Sequence, residues 1–260
     1  MLSPRVIPCL LIQNNGLVKT IKFKEPKYLG DPLNTVRIFN EKEVDELIVL
    51  DIDASVQKKE PDYFLIAQLA AECRMPLCYG GGIKTVEQVE RILSLGVEKV
   101  ALSSSAVLEP TFLRRAAEVV GSQSISVVVD LKKTGYFSKH YQLSMYNGKK
   151  IVTQDPFEWI EKLAALGAGE VVVNFIDRDG TMLGYDLDTI KKIRAITDLP
   201  LTVLGGAGSF EHIKALIQAV GIVGAGVGSL FVFKGKYRAV LINYPKRPEK
   251  EALFVGMDEP

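Results

Sequence analysis

The sequence predicts an α/β protein built as a single (β/α)8 barrel, and three observations carry that expectation. Eight short apolar runs alternate with helical patterns along the chain. The runs are apolar throughout and do not alternate with polar residues, which marks strands buried on both faces and paired in parallel. The two halves of the chain repeat each other. A length of 260 residues also fits one such barrel, typically about 250 residues.

Taken in order, the strand runs fall at 6–10, 47–52, 77–79, 100–102, 125–129, 171–175, 201–204 and 222–227. Helical patterns lie near 32–43, 61–73, 85–95, 110–120, 156–166, 187–197 and 209–219, with a shorter one after Lys236. Several open on capping residues: Asp31 before Pro32, Thr85 with Glu87, Asp155 before Pro156, and Ser209 with Glu211. Two stretches exceed ordinary loop length, 11–31 and 131–154. They occupy equivalent places in the halves, and the alternation of Tyr136, Phe137, His140, Tyr141 and Leu143 suggests short hairpins. Long loops on the active face of a barrel act as lids.

The repeat is explicit. Gly81 aligns on Gly205 at a shift of 124 residues, which also sets Gly82 on Gly206, Thr85 on Ser209, Glu87 on Glu211 and Asp31-Pro32 on Asp155-Pro156. VDELIVLDID from Val44 lies over AGEVVVNFID from Ala168 at the same shift, Ser104 falls on Ser229 at 125, and Leu11 lies over Asp130 at 119. A repeat this long is a duplicated half-domain and not a solenoid unit. The expected organisation is one barrel over 1–260, with half-barrels of about 1–120 and 121–243 and a tail at 244–260.

Composition excludes several classes. Net charge is +1, so bulk electrostatics favours neither nucleic acid nor an anionic membrane as partner. No apolar run reaches the roughly 18 residues that span a bilayer. Three cysteines, Cys9, Cys73 and Cys78, without metal-ligand spacing or a signal peptide, point to core thiols in a reducing cytoplasm. Two histidines are too few for a histidine-rich metal site, and no cofactor is expected.

Candidate site residues sort by barrel face. Strand ends carry Asp51 and Asp53, Gly80 to Gly82, Ser103 and Ser104, Asp130, Asp177 and Asp179, Gly205 and Gly206, Gly228 and Ser229. Backbone N–H groups left bare by glycine bind anions, so the two repeat-related clusters read as two phosphate cradles for an elongated substrate phosphorylated at both ends. A Gly-Gly pair on its own is a tight βα turn, and duplication could equally have left one copy idle. Asp130, beneath a long loop, is the acid/base candidate, because desolvation raises a carboxylate towards neutrality. The alternative is an anchor for its own loop. Lys19, in the first long loop, either clamps a phosphate or is solvated. At strand starts, Arg5, Glu46, Lys99 and Glu170 converge on the barrel axis as two cations and two anions, which by spacing alone reads as a charged floor plug.

Taken together, IPCL, DELIVLDI, GGGI, EKVALSSSAV, the GSQ at 121–123, GAGE, IDRDGT-x-x-GYDL and GGAG resemble the cyclase subunit of imidazole glycerol phosphate synthase over nearly all of residues 1–243. The resemblance implies a barrel that receives ammonia from a glutaminase subunit docked on its amino-terminal face. It implies a salt-bridge gate at Arg5, Glu46, Lys99 and Glu170, and reaction at the opposite face with a bis-phosphorylated substrate. It further implies phosphate contacts at Gly82, Ser104, Asp179, Gly180, Gly206, Gly228 and Ser229, with Ser103 where the family has asparagine, and roles in catalysis for Lys19 and Asp130.

One departure is serious. Where the family's first strand ends in Cys-Leu-Asp, with the aspartate a catalytic acid/base, this chain has Cys9-Leu10-Leu11. Losing such a group costs about 10²–10⁴ in rate. Leu204 and Phe175 stand where small polar residues are usual, Gly228 replaces alanine, and Glu98 replaces aspartate. The pattern resembles paralogues that work with a glutaminase and a separate sugar amidotransferase to make acetamidino sugars for surface polysaccharide such as the lipopolysaccharide O-antigen. A histidine-biosynthesis cyclase that manages without the first aspartate, and a non-catalytic ammonia conduit, are the alternatives.

Overall fold

Residues 3–135 and 140–254 are described by a computed structural model. Strand β1 (Arg5–Gln13) pairs in parallel with β4 (Leu47–Asp51), and the ladder continues through β5 (Leu77–Gly80), β6 (Lys99–Leu102), β7 (Ile125–Lys133), β10 (Glu170–Phe175), β11 (Leu201–Leu204) and β12 (Gly224–Val227). β12 pairs back onto β1, Arg5 opposite Gly224 and Pro8 opposite Val227, so the sheet closes into an eight-stranded parallel barrel.

Helices α1 (Pro32–Glu41), α2 (Tyr63–Glu72), α3 (Val86–Ser94), α5 (Pro110–Val120), α6 (Pro156–Lys162), α7 (Leu187–Ile196) and α8 (Phe210–Val220) connect the strands. The expected caps form: Asp31, Thr85, Asp155 and Ser209 each accept a backbone N–H from the first turn of their helix. At Thr85 the box is closed by Gln88, not Glu87. Short helices α4 (Ser104–Leu108) and α9 (Ser229–Val232) follow β6 and β12. The outward faces of the strands pack against the helices through fully buried side chains such as Val49, Ile66, Val100, Ile190 and Val203, each worth about 1.5–3 kcal/mol.

The inward faces alternate with period two and build the bore in layers. A lowest, polar layer holds Arg5, Glu46, Lys99, Ser126, Glu170 and Thr202. Above it Ile7, Cys9, Ile48, Cys78, Ala101, Val128, Val172 and Leu204 form an apolar layer that reaches up to Leu11 and Leu50. Leu204 fits because β12 offers glycine: a Cβ on Gly226 would lie 2.2 Å from Leu204 Cδ2.

Both long loops contain antiparallel strands, as the alternation predicts. β2 (Gly16–Ile21) and β3 (Lys24–Gly30) form a hairpin beside β1, and β8 (Tyr141–Met145) with β9 (Lys150–Ile151) continues from β7. Tyr136 and Phe137 lie outside the described residues. The helix expected after Lys236 is corrected: the chain there forms the antiparallel pair β13 (Phe233–Lys234) and β14 (Ala239–Val240), and helix α10 (Arg247–Phe254) begins later. Gly235 at φ 72° and Arg238 at φ 49° turn the chain where a helix would need both negative. The 244–254 part of the tail packs under the barrel, where Tyr244 Oη donates to Val6 O at 2.8 Å and Lys250 pairs with Asp45.

Candidate active site at the carboxyl ends of the strands

Two clefts open at the carboxyl ends of the strands and meet at Leu11, Phe23, Leu50 and Asn174, which line both. The first contains Asp51, Gly82, Ser103, Ser104 and Asp130; the second contains Lys19, Asp179, Gly180, Gly206, Gly228 and Ser229. They hold about 740 and 460 Å³ of non-protein space, open solvent at the mouths included.

Glycine is required at the repeat-related corners. Gly82 has φ 74° and a Cβ there would lie 2.8 Å from Lys59 O; Gly206 has φ 112° and its Cβ would lie 2.1 Å from Gly184 O. The Gly206 N–H has no acceptor among the described residues, whereas the Gly82 N–H is taken by Ser55 Oγ at 3.2 Å. The serine hydroxyls are engaged as well: Ser104 Oγ accepts from Tyr146 N at 3.0 Å, and Ser229 Oγ accepts from Arg238 at 3.3 Å.

Asp179 lines the second cleft and also faces the β2–β3 hairpin. Its carboxylate accepts Lys19 Nζ at 2.5 Å, Thr20 Oγ1 at 2.7 Å and Phe23 N at 3.4 Å. It therefore holds the β2–β3 hairpin down over the mouth and neutralises Lys19, the cation expected to clamp a phosphate. Lys19 is buried and crosses the second cleft against Gly228, whose missing Cβ leaves room for it: that atom would lie 2.7 Å from Lys19 Cε.

Asp130 stands at the end of the bore. Asn174 Nδ2 donates to its Oδ1 at 3.0 Å, and Ser103 Oγ to its Oδ2 at 3.4 Å. Burial outweighs both hydrogen bonds and pushes its carboxyl up to about 7. Such a group can take or give a proton near neutral pH. Asp51, also raised by burial, uses its Oδ1 to accept the N–H groups of Asp53 and Ala54. Leu11 lies opposite Leu50 and is 8% exposed, so an aliphatic surface fills the place equivalent to Asp130 in the other half.

At the opposite end the four charged residues close a ring. Arg5 pairs with Glu46 and with Glu170 at 2.8 Å, and Lys99 pairs with Glu46 and with Glu170 at 2.7 Å. Glu170 also accepts Thr202 Oγ1 at 2.6 Å and Ser126 Oγ at 3.2 Å. Burial acts to raise Glu170, but Lys99 and Arg5 prevail and hold it at about 2. Burial and repulsion from Glu170 raise Glu46, so Glu46 is the member that protonates first on acidification.

All the residues singled out from the sequence thus lie at one or other end of the bore. Asn174, Thr202, Ser126, Phe23 and Arg238 were not singled out. Asn174 could have been, since an amide inside the apolar run VVVNF needs a buried partner; Phe23 and Arg238 reach the mouth only through hairpins whose packing the sequence does not encode locally. Among the described residues no three His, Cys, Asp or Glu side chains are grouped to hold a metal ion, and no helix is long and apolar enough to cross a membrane.

The chain is a closed parallel (β/α)8 barrel whose mouth carries two clefts and a buried carboxylate and whose floor carries a charged ring. Comparison with known proteins narrows this: the model of the family described as "Histidine biosynthesis protein" matches residues 5–238, and the chain belongs to that family. It is 57% identical over 254 residues to the "Putative imidazole glycerol phosphate synthase subunit HisF" of Leptospira borgpetersenii, covering 98% of this chain and 100% of the relative. It is 59% identical over 251 residues to "Putative imidazole glycerol phosphate synthase subunit hisF3" of Vibrio vulnificus, covering 96% of each. Identity is 36% over 220 residues, 85% of each chain, to the "Imidazole glycerol phosphate synthase subunit HisF" of an Exiguobacterium species. The chain is therefore HisF-like.

Proposed function

We propose that this chain is the synthase-type barrel subunit of a cytoplasmic glutamine amidotransferase complex. A glutaminase subunit docks on the amino-terminal face, ammonia enters through the ring of Arg5, Glu46, Lys99 and Glu170, and the bore delivers it to a phosphorylated small molecule at the mouth. The observation that carries this reading is the continuous sequence of layers along one axis: a closed charge ring, an apolar bore, then Asp130. An apolar bore passes neutral ammonia and rejects ions, whose desolvation it cannot offset.

In this proposal Asp130 moves the proton at the mouth, and Lys19 holds the hairpin closed and, once freed from Asp179, meets an anion. Gly82, Ser103, Ser104, Asp179, Gly180, Gly206, Gly228 and Ser229 shape the two anion clefts, and the two similar half-barrels each supply one. The acceptor is a nucleotide sugar, or an intermediate handed on by a further sugar amidotransferase, in acetamidino modification for lipopolysaccharide. Leu11 supports an acceptor other than the histidine-pathway one, since ring closure with proton transfers at both ends lacks a carrier there. The test is co-purification of the full chain with a glutaminase from the same cell, followed by glutamine hydrolysis with and without the barrel. Failure to form a complex and unchanged hydrolysis would remove the reading.

The raised Asp130 carboxyl favours a second reading, a histidine-biosynthesis cyclase working with one carboxylate. Turnover of the histidine-pathway substrate with ammonium separates the two. A barrel that serves only as conduit predicts no turnover and no phosphate binding.

A further inference from the structure

Arg238 lies at the end of the turn between β13 and β14, directly beyond the last barrel strand, and is half-buried. Its guanidinium stacks on the Phe233 ring at 4.6 Å, and Lys27 of the β2–β3 hairpin sits over the same ring at 5.2 Å and donates to Arg238 O at 3.3 Å. So held, Nη2 reaches Ser229 Oγ at 3.3 Å and Nη1 reaches Gly180 O at 3.5 Å. Both partners line the second cleft. Both distances exceed the roughly 2.7–2.9 Å of a strong charge-assisted hydrogen bond. Arg238 is not itself among the residues that line the cleft; its fork stands directly behind two that do, held there by long hydrogen bonds.

Charge makes the position distinctive. Lys19 is cancelled by Asp179 at 2.5 Å, whereas Arg238 has no carboxylate within ion-pair distance among the described residues. Lys22, Lys24, Lys27, Lys234 and Lys236, exposed on the same two hairpins, also form no ion pair among the described residues. The first cleft has no counterpart: at the shift that sets Ser104 on Ser229, Arg238 falls on Leu113, fully buried in α5, and no lysine or arginine lines that cleft.

We infer that Arg238 is the specificity-determining residue of the second cleft, where its two Nη groups take two oxygens of a phosphomonoester dianion and so fix which end of an elongated substrate enters there. This rests on the reading of the clefts as anion sites. A planar fork matches two phosphate oxygens as an ammonium does not, and the lysines of the two hairpins draw the anion towards it.

The test is titration of the full-length protein with inorganic phosphate, followed by the backbone amide resonances of Ser229 and Ser104, for wild type, Arg238→Met, Arg238→Lys and Gly206→Ala. Met keeps the stack on Phe233 and removes the charge. The expected result is that Arg238→Met weakens phosphate at Ser229 about tenfold, the scale of one charged hydrogen bond, leaves Ser104 unaffected and melts as wild type does; Arg238→Lys recovers part of the loss. Wild-type affinity in Arg238→Met, with weakening in Gly206→Ala, would overturn the role of Arg238 and leave the cleft standing. No phosphate response at Ser229 in the wild type would overturn the cleft reading and this inference with it.

Discussion

Replacing Asp130 by asparagine should remove one pH-dependent contribution to stability. Burial raises this carboxyl from 3.8 to about 7. A group whose folded value is raised stabilises the fold while it is protonated: the contribution is fully present below about 3.8 and is lost as pH rises through about 7. A rise of roughly three units corresponds to at most about 4 kcal/mol between the two limits. The amide of Asp130→Asn keeps the shape, stays neutral, and can still meet Asn174 and Ser103 once it is turned to suit them. Denaturant unfolding of both proteins at about pH 5 and about pH 8.5 measures the difference. The variant should gain on the wild type by one to a few kcal/mol (order of magnitude) at the higher pH, while losing about 10²-fold or more in any reaction that uses Asp130. Parallel stability curves for the two proteins would show that Asp130 is not held neutral and would remove the acid/base assignment.

Lys99→Ala leaves Glu46 and Glu170 with Arg5 alone, so stability should fall by about 3–5 kcal/mol, and glutamine hydrolysis in the complex should proceed without matching product; unchanged coupling would make the ring a plug. Glu170, held at about 2, contributes stability that is fully present above about 4.5 and lost as pH falls towards 2, so acid unfolding of the wild type should shift upwards in Glu170→Gln. Leu11→Asp should raise turnover of the histidine-pathway substrate with ammonium; wild-type turnover already near ~1 per second refutes that argument. Gly206→Ala should destabilise by about 1–3 kcal/mol through its positive φ and its clash with Gly184 O; Gly135→Ala, with open space around the added Cβ, is the control that should change little.

The fold was legible because its signals are local. Apolar runs between capped helices, repeated in the two halves at shifts of 119 to 125 residues, point to a closed parallel sheet, and the strand ends then sort polar residues to top and floor. The ring was legible for the same reason: Arg5, Lys99 and Glu170 begin strands, and Glu46 stands one residue before one. What stayed hidden depends on tertiary packing. Nothing local says that Asp179 would hold Lys19, because the two are 160 residues apart and meet only when the hairpin folds over the mouth. Likewise the chain after Lys236 carries enough lysine and apolar residues to read as a helix, but the Phe233 ring is covered by Arg238 and by Lys27 of the β2–β3 hairpin, and these contacts favour a turn. Leu204 read as an anomaly until Gly226 supplied the missing volume.

The asymmetry of the mouth decides what the barrel can do. Leu11 extends the apolar wall of Ile7 and Cys9 to the surface of both clefts, so the place on that side equivalent to Asp130 holds no carboxylate. On the other side stands Asp130, poised near 7. In the proposed function ammonia arrives unprotonated and keeps its lone pair until it meets an electrophile held between the clefts. One carboxylate suffices to take the proton released when nitrogen adds to such a centre. It does not suffice for a ring closure that needs a second proton carrier across the axis, because Asp51 is tied to the N–H groups of Asp53 and Ala54 and the leucine cannot serve. The proposed function therefore takes simple amination of an acceptor, and not cyclisation, as the reaction at the mouth.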